Sequence, residues 1–280
     1  MRQPYGVRLA AAVRTRGPLC VGVDPHPGVL RAWGLEPTVS GLERCARGLV
    51  EALGAHVAVF KPQSAFFEAY GSAGVAVLEA TLADIAAAGA LSLLDAKRGD
   101  IGSTMDAYAA AYLADGSPLA ADAVTFSPYL GFGSLTRAIE LARTSGRGVY
   151  VLALTSNPEA PELQHATTAA GVTVGQTVVD EAARRNADAG PGPGHVGVVV
   201  GATIGDTGTR FDHLNGSILA PGLGAQGAGP ADLETVFGSA RSLVLPAMSR
   251  EILTSGPDPA ALRAAARAAS GAMIAVVGLR

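Results

Sequence analysis

Short apolar runs punctuate the chain at 19–23, 57–60, 91–94, 123–126, 149–154, 196–200, 217–220 and 243–245. They are rich in Val and Leu, nearly continuous, and bounded by Gly, Pro or polar residues. Such runs predict strands of a parallel sheet buried on both faces. The stretches between them carry helical spacing. Segment 41–53 aligns Leu42, Cys45, Leu49 and Leu53 on one stripe, and 74–88 aligns Val75, Leu78, Leu82 and Ile85. Segments 105–113, 134–143 and 172–186 are similar, and the Ala- and Arg-rich 259–270 closes the chain. The links after the sixth and seventh runs are short.

Eight strands alternating with helices predict a (β/α)8 TIM barrel, a single domain over residues 1–280. A doubly wound open sheet is the alternative. The eightfold count and the lack of a G-x-G-x-x-G after the first run weigh against it. One connection is long, at about 157–195. Its first part, 158–170, has the length of a lid over a site, with a neutral insertion as the competing reading. The Pro/Gly run 190–194 leads back to the sixth strand. The N-terminal segment has arginines throughout and no continuous apolar core, which predicts a short amphipathic helix and no signal peptide.

Composition narrows the function. The 280 residues are 49% hydrophobic and 16% charged, ample for a large core. A net charge of −3 and sparse aromatics give no bias toward nucleic acid or an anionic membrane. No window reaches the roughly 20 uncharged apolar residues that span a bilayer. Cys20 and Cys45 lie far apart in apolar settings, so both are expected as free buried thiols in a reducing cytoplasm.

The chemistry lies at the C-terminal ends of the runs. The first run ends in Asp24, the second in Lys61, and the third in Asp95 and Lys97, with Asp100 soon after. The fourth leads into T-F-S-P-Y, the fifth into T-S-N-P, the seventh into P-G-L-G-A-Q-G-A-G over 221–229, and the eighth into P-A-M-S-R. In a barrel these tips converge on one mouth, where active sites sit. The glycine-rich loop and Arg250 suit a phosphate. Asp24, Lys61, Asp95 and Lys97 form a mixed cluster of two acids and two amines. A divalent cation prefers carboxylates without competing ammonium groups. The histidines show no ligand spacing, and packing or surface roles are expected for His26 and His56. The site suits charge stabilisation and proton delivery by lysine, without metal or cofactor.

The stretch D-A-K-R-G-D-I-G-S-T resembles the D-x-K-x-x-D-I-x-x-T signature of orotidine 5′-phosphate decarboxylase. V-G-V-D-P, V-F-K-P-Q-S-A-F-F-E, A-P-G-L-G-A-Q-G and P-A-M-S-R-E-I resemble the type 2 branch of that family. The resemblance implies decarboxylation of orotidine 5′-phosphate to UMP and carbon dioxide in pyrimidine biosynthesis, by a cytoplasmic homodimer with shared sites. It implies Lys97 as proton donor, Asp95 against the substrate carboxylate, and Lys61 and Asp24 on the ribose hydroxyls and in the charge network. Asp100 and Thr104 would reach the partner's site, with Ile101 packing there. Ser156 would contact the pyrimidine, and Gln226 and Arg250 the phosphate. Two other readings compete: a metal-dependent phosphosugar decarboxylase or synthase of the same superfamily, and a non-catalytic phosphate-binding barrel.

Overall fold

The structure, a computed structural model, describes residues 2–190, 192–223 and 229–278. All eight apolar runs become strands: β1 (Cys20–Val23), β2 (Val59–Pro62), β3 (Leu91–Arg98), β4 (Ala123–Phe126), β5 (Gly148–Leu154), β6 (Val196–Val200), β7 (Ile218–Ala220) and β8 (Val244–Met248). They close into a barrel in sequence order, all neighbours parallel, with β1 meeting β8 at Cys20↔Ala247. Helices on the outside and side chains on the inside bury both faces of each strand, which is why the runs are continuously apolar.

Two apolar layers result. Outside the strands, Val21, Phe60, Leu94, Val124, Val149 and Val198 pack against the helices. Inside, Val59, Leu93, Tyr150, Val199, Leu219 and Leu245 fill the barrel. The predicted N-terminal helix is Tyr5–Arg16, and it stoppers the bottom of the barrel. Tyr5 and Leu9 enter the inner layer, and the Tyr5 hydroxyl lies 3.1 Å from that of Tyr150. Arg8 pairs with Asp122 at 2.5 Å, and the Asp122 carboxylate accepts from the Ser92 backbone N–H at 2.9 Å.

The long helices fall close to their expected places: Val39–Leu53, Gly71–Ala87, Gly102–Leu113, Thr136–Thr144 and Val174–Asn186. Thr38 caps the first and Thr173 the last, each accepting from a backbone N–H in the first turn. In Gly71–Ala87 the inward residues are Val77, Leu78, Leu82 and Ile85, so Val77 takes the place expected of Val75. The closing helix runs further than its expected end, to Pro259–Val277. By length and mean hydropathy it could cross a membrane, but it carries Arg263 and Arg267, so it is not the uncharged apolar window whose absence was expected. It nevertheless packs Leu262, Ala266, Met273 and Val277 on the barrel. Cys20 and Cys45 are free and buried. Between β6 and β7 no helix occurs among the described residues.

Candidate active site

β3 supplies the centre of the site, and its apolar pattern stops before its backbone pairing does. Past Leu94 the register against β4 shifts, and pairing resumes at Arg98↔Phe126. Within this bulge Lys97 takes a left-handed backbone conformation, φ 48°. For a residue with a Cβ that conformation is costly and persists only where neighbours over-determine it. Thr125, on β4, is one such neighbour: its Oγ1 accepts from the Lys97 backbone N–H at 2.9 Å. The chain then turns away through Gly99, where a Cβ would lie 2.4 Å from the Ser127 carbonyl oxygen.

The side chains form a continuous charge network. Lys97 Nζ donates to both oxygens of Asp95 at 2.7 Å. Lys61, from β2, approaches Asp95 Oδ2 at 3.3 Å and Asp24 Oδ1 at 3.9 Å. Thr125 Oγ1 donates to Asp95 Oδ1 at 2.8 Å. Gln63 holds the rear, its Oε1 accepting from Lys61 Nζ at 3.2 Å and its Nε2 donating to the Asp95 carbonyl at 3.4 Å. Asp24 Oδ1 is buried and has no hydrogen-bond partner.

Burial alone would discharge these groups. For Lys61, burial pulls the pKa down, but Asp24 and Asp95 outweigh it and lift it above the ordinary lysine range. For Asp95, burial pushes the carboxyl up, but the Lys61 and Lys97 ammonium groups prevail and hold it below the ordinary carboxylate range. Lys61 and Asp95 thus stay charged although buried, while Lys97 is exposed at the mouth.

This array forms one wall of a cavity of about 370 Å³ at the C-terminal mouth of the barrel. Its floor is apolar, made by Leu152, Val199, Leu219 and Ala247 at the top of the inner core. Thr155, Ser156 and Asn157, just past β5, make another wall. Ser249 and Arg250 stand beyond β8. Arg250 is exposed, with no hydrogen bond or ion pair to its guanidinium among the described residues. A guanidinium so placed can take an anion bidentately. The cavity therefore combines a mixed-charge wall, an apolar floor that suits a flat ring, and a guanidinium unpaired among the described residues.

The cavity gathers Asp24, Lys61, Asp95, Lys97, Ser156 and Arg250 of the residues the sequence singled out. It does not gather Asp100, Ile101 and Thr104. These sit at the start of helix Gly102–Leu113, with Asp100 half-buried, Thr104 exposed and Ile101 62% exposed. Asp100 there accepts from the Ile101 backbone N–H at 2.8 Å. Gln226 and most of the 221–229 loop lie outside the described residues.

Several site residues escape the sequence patterns. Thr125 begins the T-F-S-P-Y tip, but nothing in the sequence marks its bonds to Asp95 and Lys97, and Gln63 has no signal beyond its place after Lys61. His26 lines the cavity while its Nδ1 accepts from the Gly28 N–H to cap helix Pro27–Ala32. Glu251 also lines the cavity, with both carboxylate oxygens buried and unpartnered.

Comparison with known proteins agrees with this geometry. Residues 17–265 match the model of the orotidine 5′-phosphate decarboxylase / HUMPS family. The chain is 62% identical over 264 residues to an orotidine 5′-phosphate decarboxylase of Salinispora arenicola, covering 94% of this chain and 95% of the relative. It is 57% identical to that of Streptomyces coelicolor, with the same coverage. A crystal structure from Streptomyces avermitilis, provisionally named as the same enzyme, superposes with a TM-score of 0.96 at 57% identity, covering 99% of this chain and 98% of the other. The OMP decarboxylase of Leishmania donovani superposes with a TM-score of 0.78 at 29% identity, covering 99% and 100%.

Proposed function

From the premise that the chain belongs to the orotidine 5′-phosphate decarboxylase / HUMPS family, we propose that it converts orotidine 5′-phosphate to UMP and carbon dioxide in pyrimidine biosynthesis. The observation that carries the reading is the Lys97 ammonium, bonded to both oxygens of Asp95 beside a cavity that Arg250 also lines. Relatives at 57–62% identity, all named for this one reaction, favour it over a metal-dependent phosphosugar enzyme.

The chemistry accounts for the residue types. The bond from the ring carbon to the carboxylate breaks, carbon dioxide leaves, and the electron pair stays on the ring carbon. Lys97 stabilises that developing charge and delivers its proton to the carbon, then regains one from solvent. Asp95 faces the departing carboxylate and disfavours the bound substrate relative to the transition state. Asp24 and Lys61, which line the cavity side by side, take the ribose hydroxyls. Ser156 meets the pyrimidine. Arg250 holds the phosphate together with Gln226, and that remote binding energy serves alignment of the site.

The working unit of this proposal is a homodimer in the cytoplasm. Ile101, Tyr129 and Leu130 are large apolar side chains exposed at 62%, 76% and 50%, near the start of helix Gly102–Leu113. Apolar surface of this kind supports a protein partner. In that assembly Asp100 and Thr104 enter the partner's site and Ile101 packs there. The two free buried thiols fit a reducing compartment.

The test is carbon dioxide release from orotidine 5′-phosphate in EDTA. Full activity is expected, and activity only with an added divalent cation would overturn the metal-free reading. Lys97→Ala should abolish turnover while UMP still binds; retained turnover would remove Lys97 from its role. Mixing inactive Lys97→Ala and Asp100→Ala proteins should restore about a quarter of all sites after random exchange, because each heterodimer has one undamaged site. No recovery on demonstrated exchange would refute the shared site.

A further inference from the structure

The long connection after β5 is tied to the cavity wall by one side chain. Gln164, the last residue of helix Ala160–Gln164, engages Thr155 twice. Its Oε1 accepts from the Thr155 backbone N–H at 2.7 Å, and its Nε2 donates to Thr155 Oγ1 at 2.8 Å. Thr155 Oγ1 commits its own proton to Asn157 Oδ1 at 2.7 Å, and Asn157 Nδ2 donates to Glu159 at 2.9 Å.

The local backbone explains why the clamp is there. The register of β5 against β6 shifts between Leu152 and Leu154, so the ladder ends irregularly and Thr155 lies just past it. A backbone N–H at such a place needs a partner, and the Gln164 amide provides it. From the other side, the Gly201 N–H donates to the Leu154 carbonyl at 2.9 Å. A Cβ at Gly201 would lie 3.1 Å from the Ser156 backbone nitrogen and 3.2 Å from its Cβ. Ser156 is held between this close backbone approach and the clamped Thr155. Thr155, Ser156 and Asn157 line the cavity and Gln164 does not.

We propose that Gln164 is a positioning residue for base recognition: its amide fixes the 155–157 wall against which the pyrimidine lies. The inference rests on the assignment of the pyrimidine to that wall. It gives the 157–195 connection a role as a buttress of the site. An amide is needed because the position requires one acceptor and one donor in fixed order. A carboxylate would set a second acceptor against Thr155 Oγ1, whose proton is already committed.

The experiment compares binding of UMP and of ribose 5-phosphate, which lacks the base, to Gln164→Met, Gln164→Glu, Thr155→Val and Ser156→Ala. Gln164→Met and Gln164→Glu should weaken UMP roughly tenfold, the scale of one lost hydrogen bond, and raise KM by a similar factor. Ribose 5-phosphate should change by less than about twofold on the same scale. Relative to the unmodified protein, Gln164→Glu should regain UMP affinity as pH falls toward about 4.3, where a carboxyl gains the missing donor. Gln164→Met should not. Thr155→Val, which removes the Nε2 arm and the Thr155–Asn157 bond but keeps the arm to the backbone N–H, covers the case in which Gln164→Met fails to fold, and should give a loss confined to UMP. Unchanged UMP affinity, or equal loss of both ligands, would overturn the proposal. Normal UMP affinity in Ser156→Ala would instead reject the role of Ser156 itself, leaving a selective loss in the Gln164 variants to stand for the rest of the wall.

Discussion

Thr125→Val tests how the central charge pair is held. Thr125 is fully buried, and its hydroxyl does two jobs: it donates to Asp95 Oδ1 at 2.8 Å and accepts from the Lys97 backbone N–H at 2.9 Å. Valine matches the shape and removes both. A hydrogen bond to a charged group is worth about 1.5–3 kcal/mol, and an N–H left unpaired costs about 1–3 kcal/mol. Because the volume is kept, no cavity penalty is added, and the loss should total roughly 2.5–6 kcal/mol. The left-handed Lys97 would also lose a neighbour that pins it. Urea unfolding measures the first effect, and kcat for carbon dioxide release the second, which should fall more than about tenfold if about 1.4 kcal/mol of alignment is lost. Thr125→Ser, which keeps the hydroxyl, should recover most of both. A Thr125→Val protein within about 0.5 kcal/mol of the unmodified stability and with unchanged kcat would refute the reasoning. Lost stability with normal kcat would show that Thr125 supports the fold but not the alignment of Lys97.

Arg250→Ala should weaken UMP by about 10–100-fold, the scale of charge-assisted bonds to phosphate, with stability unchanged because the residue is exposed; a stability loss with unaltered UMP binding would contradict its placement. The cluster should also shape stability against pH. Lys61 has a raised pKa, so its contribution is complete below the unfolded value near 10.4 and is lost as pH rises through the higher folded one. Asp95 is depressed, so its contribution is present above about pH 3.9 and is lost as pH falls through the lower folded value. The stability difference between the unmodified protein and Lys61→Met should therefore be flat across neutral pH and shrink at strongly alkaline pH; a difference that grows there would contradict the assignment. Burial pushes the Cys20 and Cys45 thiols up to about 12, so neither should react with a thiol reagent at pH 8 until the chain is unfolded. Fast labelling of the native protein would show that one of them is accessible.

The barrel was legible because burial on both strand faces writes itself as unbroken apolar runs. The end of β3 was not. Its apolar letters stop at Leu94, whereas pairing continues through a bulge to Arg98. Asp95 and Lys97 were expected in one cluster at the tip of the third run, and they meet across that bulge with Lys97 left-handed. Helices such as Pro27–Ala32, Ser64–Glu68 and Ala160–Gln164 are too short to show a helical period. Charged tips were visible because charge after an apolar run is conspicuous. The roles of Thr125, Gln63 and Gln164 were not, because a neutral hydrogen-bonding group carries no sign of what it touches until the fold brings its partner near. Asp100 and Thr104 were conspicuous in sequence yet do not line the cavity of their own chain.

The seam between β1 and β8 bears on how the chain is synthesised. The strand that begins the barrel must wait for Ala247 and Met248 before its second edge is covered. On the ribosome, a nascent chain that has reached β7 carries two open sheet edges flanking apolar faces, a species prone to pair with its neighbours. A chain cut before residue 244 should accordingly accumulate as aggregates and not as a smaller folded unit. A circular permutant that joins the two ends and opens elsewhere would move this vulnerable interval to another pair of strands.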